Sequence, residues 1–110
     1  MDKIAVKTFF FAISDYSRFS ILVTLLEKDL RVSDIVSSTG IEQSNVSHHM
    51  SCLLNCGFVS ARKDGKERIY GLNGEVKPII SDIIRHIERY KKEIISCNIA
   101  NKDYISRAIE

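Results

Sequence analysis

Two cysteines four residues apart, Cys52 and Cys56, have the spacing in this sequence best suited to chemistry. On a helix, positions i and i+4 share a face, with Cβ atoms about 6 Å apart. Two thiolates at that separation can converge on one soft or borderline metal ion. The same spacing also serves two small buried hydrophobes, a common use of free cysteine. A third cysteine, Cys97, lies far along the chain. An odd count of 3 in 110 residues without an export signal argues against a disulfide scaffold. A cytoplasmic location, where thiols stay reduced, is expected.

The segment that carries the pair predicts a helix from Gln43 to Asn55, stopped by Gly57. At 100° per residue, Val46, Met50, Leu53 and Leu54 gather on one side. Ser44, Ser47, His48 and Ser51 fall opposite, and Cys52 and Cys56 lie on the flank between. The outward face is polar, small and free of acid. Small hydrogen-bonding side chains let a helix sit deep in the major groove of DNA, and Gln43 at the helix start can reach an adenine edge. An ordinary solvated face is richer in Glu and Lys.

The elements around that helix must position it. Lys3 to Ile13 reads as a helix that Phe9, Phe10 and Phe11 make apolar almost all round. Ser14 and Asp15 break it and can cap a second helix over Ser17 to Leu26. A short third helix has Ser33 as its cap, covers Asp34 to Ser38, and ends at Thr39 and Gly40. Two helices joined by so short a glycine-containing turn are the signature of a helix-turn-helix. Two extended runs follow, Phe58 to Lys63 and Lys66 to Leu72, joined by Asp64 and Gly65 as a hairpin turn. Its tip is basic, with Arg62, Lys63, Lys66 and Arg68. A long helix from Glu75 to about Ile99 closes the chain, with Pro78 in its first turn. It bears a near-heptad stripe of Val76, Ile80, Ile83, Ile87, Tyr90 and Ile94.

A hairpin directly after a helix-turn-helix is a wing. The predicted fold is therefore mainly α with a small β-hairpin, a winged helix-turn-helix in one domain over residues 1–110. The outer helices hold more apolar surface than a small core can cover, so residues 1–13 and 75–100 are expected to pair in a homodimer. The net charge of +2 is too small to argue for nucleic acid alone, so the case rests on where the charges sit. No apolar run approaches the roughly 18 residues of a membrane span. Paired carboxylates, a phosphate loop and a nucleophile with a placed base are all missing, so no enzyme is expected.

Ser14-Asp15-Tyr16-Ser17-Arg18-Phe19, Ser33-Asp34-Ile35, Gln43 to Met50, Gly57-Phe58-Val59 and Gly65 to Tyr70 together resemble the ArsR/SmtB repressors in order and spacing. The likeness covers about residues 10–75. Tyr16 departs from it, standing where the family usually has proline. Ser44 to Gly57 resembles the CmtR branch, which senses cadmium and lead. That resemblance implies a metal site of Cys52 and Cys56 from one subunit and Cys97 from the other. It implies Cd(II) or Pb(II) as inducer, with operator double-stranded DNA released on binding. Gln43, Ser44, Ser47 and His48 would face the operator, with Lys66 and Arg68 on flanking phosphates. Sites used elsewhere in the family lack residues here. Leu30 to Asp34 holds no cysteine, and Asp82, His86 and Glu88 lack a second histidine. Three sulfurs disfavour structural zinc, which is almost always four-coordinate. The alternative is a repressor of the same family switched by arsenite, or by oxidation or persulfidation of the cysteines.

Overall fold

The computed structural model describes residues 1–97, 99 and 100. Helix α1 spans Lys3–Ser14, and its cap is Asp2, which accepts from the Ala5 N–H at 2.9 Å. Helix α2 spans Tyr16–Thr24; Asp15 caps it by accepting from the Arg18 N–H at 3.0 Å. Tyr16 therefore occupies the first helical position with its ring exposed, where a proline would also fit. Strand β1 is Leu30–Arg31 and helix α3 is Val32–Thr39. Gly40 ends α3 at φ 74, a left-handed conformation that costs glycine nothing. Three residues later α4 begins, Gln43–Asn55, and Gly57 turns the chain out at φ 79.

Strands β2 (Val59–Asp64) and β3 (Glu67–Leu72) form the wing. The three strands make one antiparallel sheet in the order β1-β3-β2. Helices α5 (Val76–Arg89) and α6 (Lys91–Ile95) complete the described chain. The architecture is a winged helix-turn-helix, mainly helical with a small sheet.

Met1–Ile80 is one compact unit, and the chain from Ser81 onwards is a second. In the first, Ile21, Leu22, Leu25, Ile35, Val46, Met50, Leu53, Phe58 and Ile80 are fully buried. Phe9 of α1 lies against Phe58, with ring centroids 5.2 Å apart. The outward side of α1 keeps Ile4, Phe10 and Phe11 exposed.

Four details differ from the sequence expectations. Helix α3 starts one residue before Ser33, and its first turn is held by Asp34, which accepts from the Arg31 N–H at 3.2 Å. Leu30 and Arg31 add a third strand, since Leu30 pairs with Tyr70 and Arg31 with Ile69. Asp64 pairs with Glu67, so the two-residue turn is Gly65-Lys66 and only Gly65 has positive φ, at 66. Glycine at the first central position fits a type II′ hairpin. Finally, the long last helix is interrupted at Tyr90, at φ −108 and ψ 23. Residues 85–97 are all exposed, so no buried face enforces a straight helix there.

Phe58 joins α1 to the exit of α4 and is 1% exposed. Phe58→Ala should lower unfolding free energy by about 3–5 kcal/mol, the usual cost of emptying a buried aromatic site. Urea unfolding followed by circular dichroism measures it. A loss below about 1 kcal/mol would mean that the site collapses without harm.

Candidate nucleic-acid interface and thiol pair

Burial fixes how α4 is turned. Val46, Met50 and Leu53 are inward, while Gln43, Ser44, Ser47, His48 and Ser51 are exposed, as their spacing predicts. Ser51 Oγ donates to the Ser47 carbonyl at 3.2 Å, and Ser44 Oγ donates to Glu42 at 3.2 Å. These are weak local bonds that a base edge or phosphate could replace.

The hairpin sorts its charges by face, because alternate residues of a strand point to opposite sides. Lys63 lies directly opposite Arg68, and Asp64 directly opposite Glu67. Like charges directly opposite one another destabilise a sheet. The acidic pair is neutralised within the chain: Arg31 pairs with Asp64, and its Nε lies 2.6 Å from Glu67 in ionic contact without hydrogen-bond alignment. On that same face Arg62 pairs with Asp29 at 2.6 Å. Buried Gly71, lacking a Cβ, leaves the room that the Asp29 carboxylate fills. The basic pair has no such relief. Among the described residues, Lys63, Lys66 and Arg68 make no ion pair. An anionic partner would relieve their repulsion. Arg62 is thus a wing anchor, and Lys63 joins Lys66 and Arg68 on the free basic face. Two-residue alternation along Arg62-Lys63-Asp64 was the signal that separates them.

Cys52 and Cys56 are half-buried on the flank of α4, between the exposed face and the core. Burial, then the neighbouring Cys52 thiol, pushes the Cys56 thiol up, and Arg18 opposes them. A raised thiol is held in its protonated form at neutral pH, so a metal ion must displace the proton. Two thiols on one helix face suit two bonds to a soft ion. Among the described residues, no three His, Cys, Asp or Glu side chains of one chain gather to hold an ion. Cys97 is exposed and belongs to the second compact unit. In that unit Asp82 pairs with Arg85 at 2.8 Å, and the His86 ring lies 4.8 Å from that of Tyr90.

Sequence reasoning passed over Arg18. It is 8% exposed, and its NH1 donates to His49 Nδ1 at 3.3 Å. His49 is therefore neutral, with its own proton on Nε2.

Residues 15–61 match the family described as "Bacterial regulatory protein, arsR family". The arsenical resistance operon repressor of Staphylococcus aureus is 36% identical over 75 residues, covering 68% of this chain and 69% of that protein. The chain belongs to the arsR family of bacterial regulatory proteins. A probable mercury resistance operon repressor of Streptomyces lividans is 38% identical over 76 residues, and the match spans 69% of this chain but 58% of that relative. Among solved structures, HlyU of Vibrio cholerae is 31% identical, with a TM-score of 0.69 over 77% of this chain and 96% of HlyU. No described helix is long and apolar enough to cross a membrane.

The packing of this arsR-family helix predicts a pH dependence. Burial, then Arg18 and His48, pulls His49 below its ordinary value of 6.5, while Asp15 pulls the other way. The unfolded chain then takes up a proton near pH 6.5 that the native state resists. The stability from neutral His49 is present above that pH and lost as pH falls through the folded value. Melting temperature should therefore fall more steeply between pH 7 and 5 for wild type than for His49→Gln, which cannot titrate. Parallel curves would show that His49 takes its proton as easily folded as unfolded.

Proposed function

We propose that the protein is a homodimeric operator-binding repressor of a metal-resistance operon, released when its cysteine thiolates capture a soft metal ion. The observation that carries this is the placement of two half-buried thiols on the flank of α4, whose exposed face is polar and free of acid. A ligand held there shares one rigid helix with the groups that would touch DNA. Support comes also from the relatives named for arsenical and mercury resistance operons.

Gln43, Ser44, Ser47 and His48 contact base edges and phosphates in the major groove. Lys66 and Arg68 take flanking phosphates, with Lys63 beside them. The exposed apolar face of α1 supports dimer formation, with the last helices as its second component. Two copies present two reading heads to two half-sites. Cys52 and Cys56 of one subunit and Cys97 of the partner subunit form a three-sulfur site, giving two sites per dimer. Cadmium and lead are the inducers that this donor set suits; zinc would want a fourth ligand. When bound, the ion supplies a crosslink between sulfurs. What the chain's own residues do is release protons, fix α4, and so change how well the two heads fit the operator. Binding is reciprocal, and operator DNA must weaken metal binding by the same factor.

Two predictions test these assignments. Lys66→Ala should weaken all DNA about equally and lower the slope of log affinity against log salt by about one. Gln43→Ala should instead relax sequence preference with the slope unchanged. If neither variant alters binding at moderate salt in fluorescence anisotropy, the docking face is wrong.

For the metal, the experiment is an operator shift assay on reduced protein across cadmium, lead, zinc, mercury and arsenite. Cadmium should give a thiolate charge-transfer band and release the DNA, more tightly as pH rises, because protons must leave. Serine at Cys52 or Cys56 should abolish band and release while leaving operator affinity within about threefold. Release by arsenite or an oxidant alone would assign the switch to that chemistry instead.

A further inference from the structure

Arg18 is the one charged side chain buried among the described residues, and the function proposed above gives it no task. Its Nε donates to the Ala12 carbonyl at 2.7 Å and its NH2 to the Phe11 carbonyl at 3.2 Å. Its NH1 donates to His49 Nδ1 at 3.3 Å, and its guanidinium carbon lies 5.4 Å from the centroid of the Phe11 ring. Every one of these partners is neutral. No ion pair to Arg18 exists among the described residues. A buried cation is normally paired, and one held only by carbonyls, an imidazole and a ring face is poised to respond to a new anion.

Such an anion is provided for. His49 and Cys52 stand at i and i+3 on α4, and Cys56, at i+7, is its C-cap residue, so the three follow one side of that helix to its end. Arg18 meets the first of them directly, and Cys52 lies one turn further along the same face. At its other side it holds the last turn of α1, the helix whose outward face exposes Ile4, Phe10 and Phe11.

We infer that Arg18 and His49 form a relay that carries ion capture at Cys52 and Cys56 from α4 to the C-terminal turn of α1, which rests on the metal-responsive reading proposed above. On capture each S–H bond breaks, its proton leaves to solvent, and the sulfur lone pair coordinates the ion. Three thiolates around a divalent ion carry a net charge of −1. The guanidinium is drawn towards that charge and loosens its bonds to the Phe11 and Ala12 carbonyls. Because the donor to His49 belongs to the same planar group, α4 and α1 cannot shift independently. Arg18 and His49 are positioning residues; neither touches DNA or the ion.

The test uses the reduced full chain, an operator fragment and cadmium as probe. Three quantities are read for each variant: operator affinity without metal, cadmium affinity from the thiolate band, and the fold loss of operator affinity at saturating cadmium. Couplings between sites in proteins are typically about 5–150-fold. His49→Phe keeps ring volume but offers Arg18 no acceptor. It should bind cadmium and free operator within about threefold of wild type, yet lose operator affinity less than about threefold on cadmium saturation. His49→Gln restores an acceptor and should restore the wild-type coupling. Arg18→Lys keeps the charge but cannot span both helices; it should also uncouple, and it decides the matter if His49→Phe does not fold. Full coupling in His49→Phe, or no rescue in His49→Gln, overturns the relay. A wild-type protein that binds no cadmium, or stays on DNA with cadmium bound, instead overturns the metal-responsive reading and the relay with it.

Discussion

The burial of Val46, Met50 and Leu53 fixes the rotation of α4 about its own axis, and the functional surfaces follow from that constraint. A helix with one face locked in a core has no freedom left for the others. Once these three side chains are inside, Ser44, Ser47 and His48 must be outside, and Cys52 and Cys56 must lie on the flank. Phe58 extends the lock beyond the helix end, because its N–H bonds back to the Leu53 carbonyl at 2.9 Å while its ring meets Phe9. Interiors are close-packed, so a strain applied at the flank is passed on to the packed neighbours rather than absorbed.

The wing is held by a different force. Val59, Tyr70, Gly71 and Leu72 of its strands are buried and Ile69 is half-buried, while the part nearest the turn is exposed. Exposed ion pairs are each worth little in isolation. Here they act on orientation instead, since Arg31 reaches both sides of the turn while Arg62 reaches back to Asp29. With acids and their arginines matched on one face, the unmatched Lys63 and Arg68 are left on the other. The separation gives a chain of net charge +2 a local basic surface that its overall balance conceals.

Between these two regions burial governs the titration of His49 and Cys56, and Arg18 adds to it at the first and opposes it at the second. Beside the larger effect of burial, the Arg18 cation discourages protonation of His49 and favours the thiolate of Cys56, so one side chain lowers the proton affinity of both neighbours. Membership in the arsR family accounts for the helix-turn-helix and the wing.

Periodicity and turn residues determined the order of the first four helices and the hairpin, the bounds of α4 and the inward and outward residues of that helix, because a helix with one buried face imprints its period on the sequence. The basic wing tip and the thiol spacing were legible for the same reason: they depend on neighbours a few residues apart. Tertiary structure decided what depends on distant partners. Strand β1 is two residues long, too short to show alternation, and exists because β3 offers it a ladder. The turn moved by one residue because cross-strand pairing of Asp64 with Glu67 set the register. The interruption at Tyr90 arises where no buried face supports the near-heptad stripe. In the sequence Arg18 had no role beyond its place in the family-like segment Ser14 to Phe19. Only the fold brings the α1 carbonyls and His49, 31 positions away, around its guanidinium.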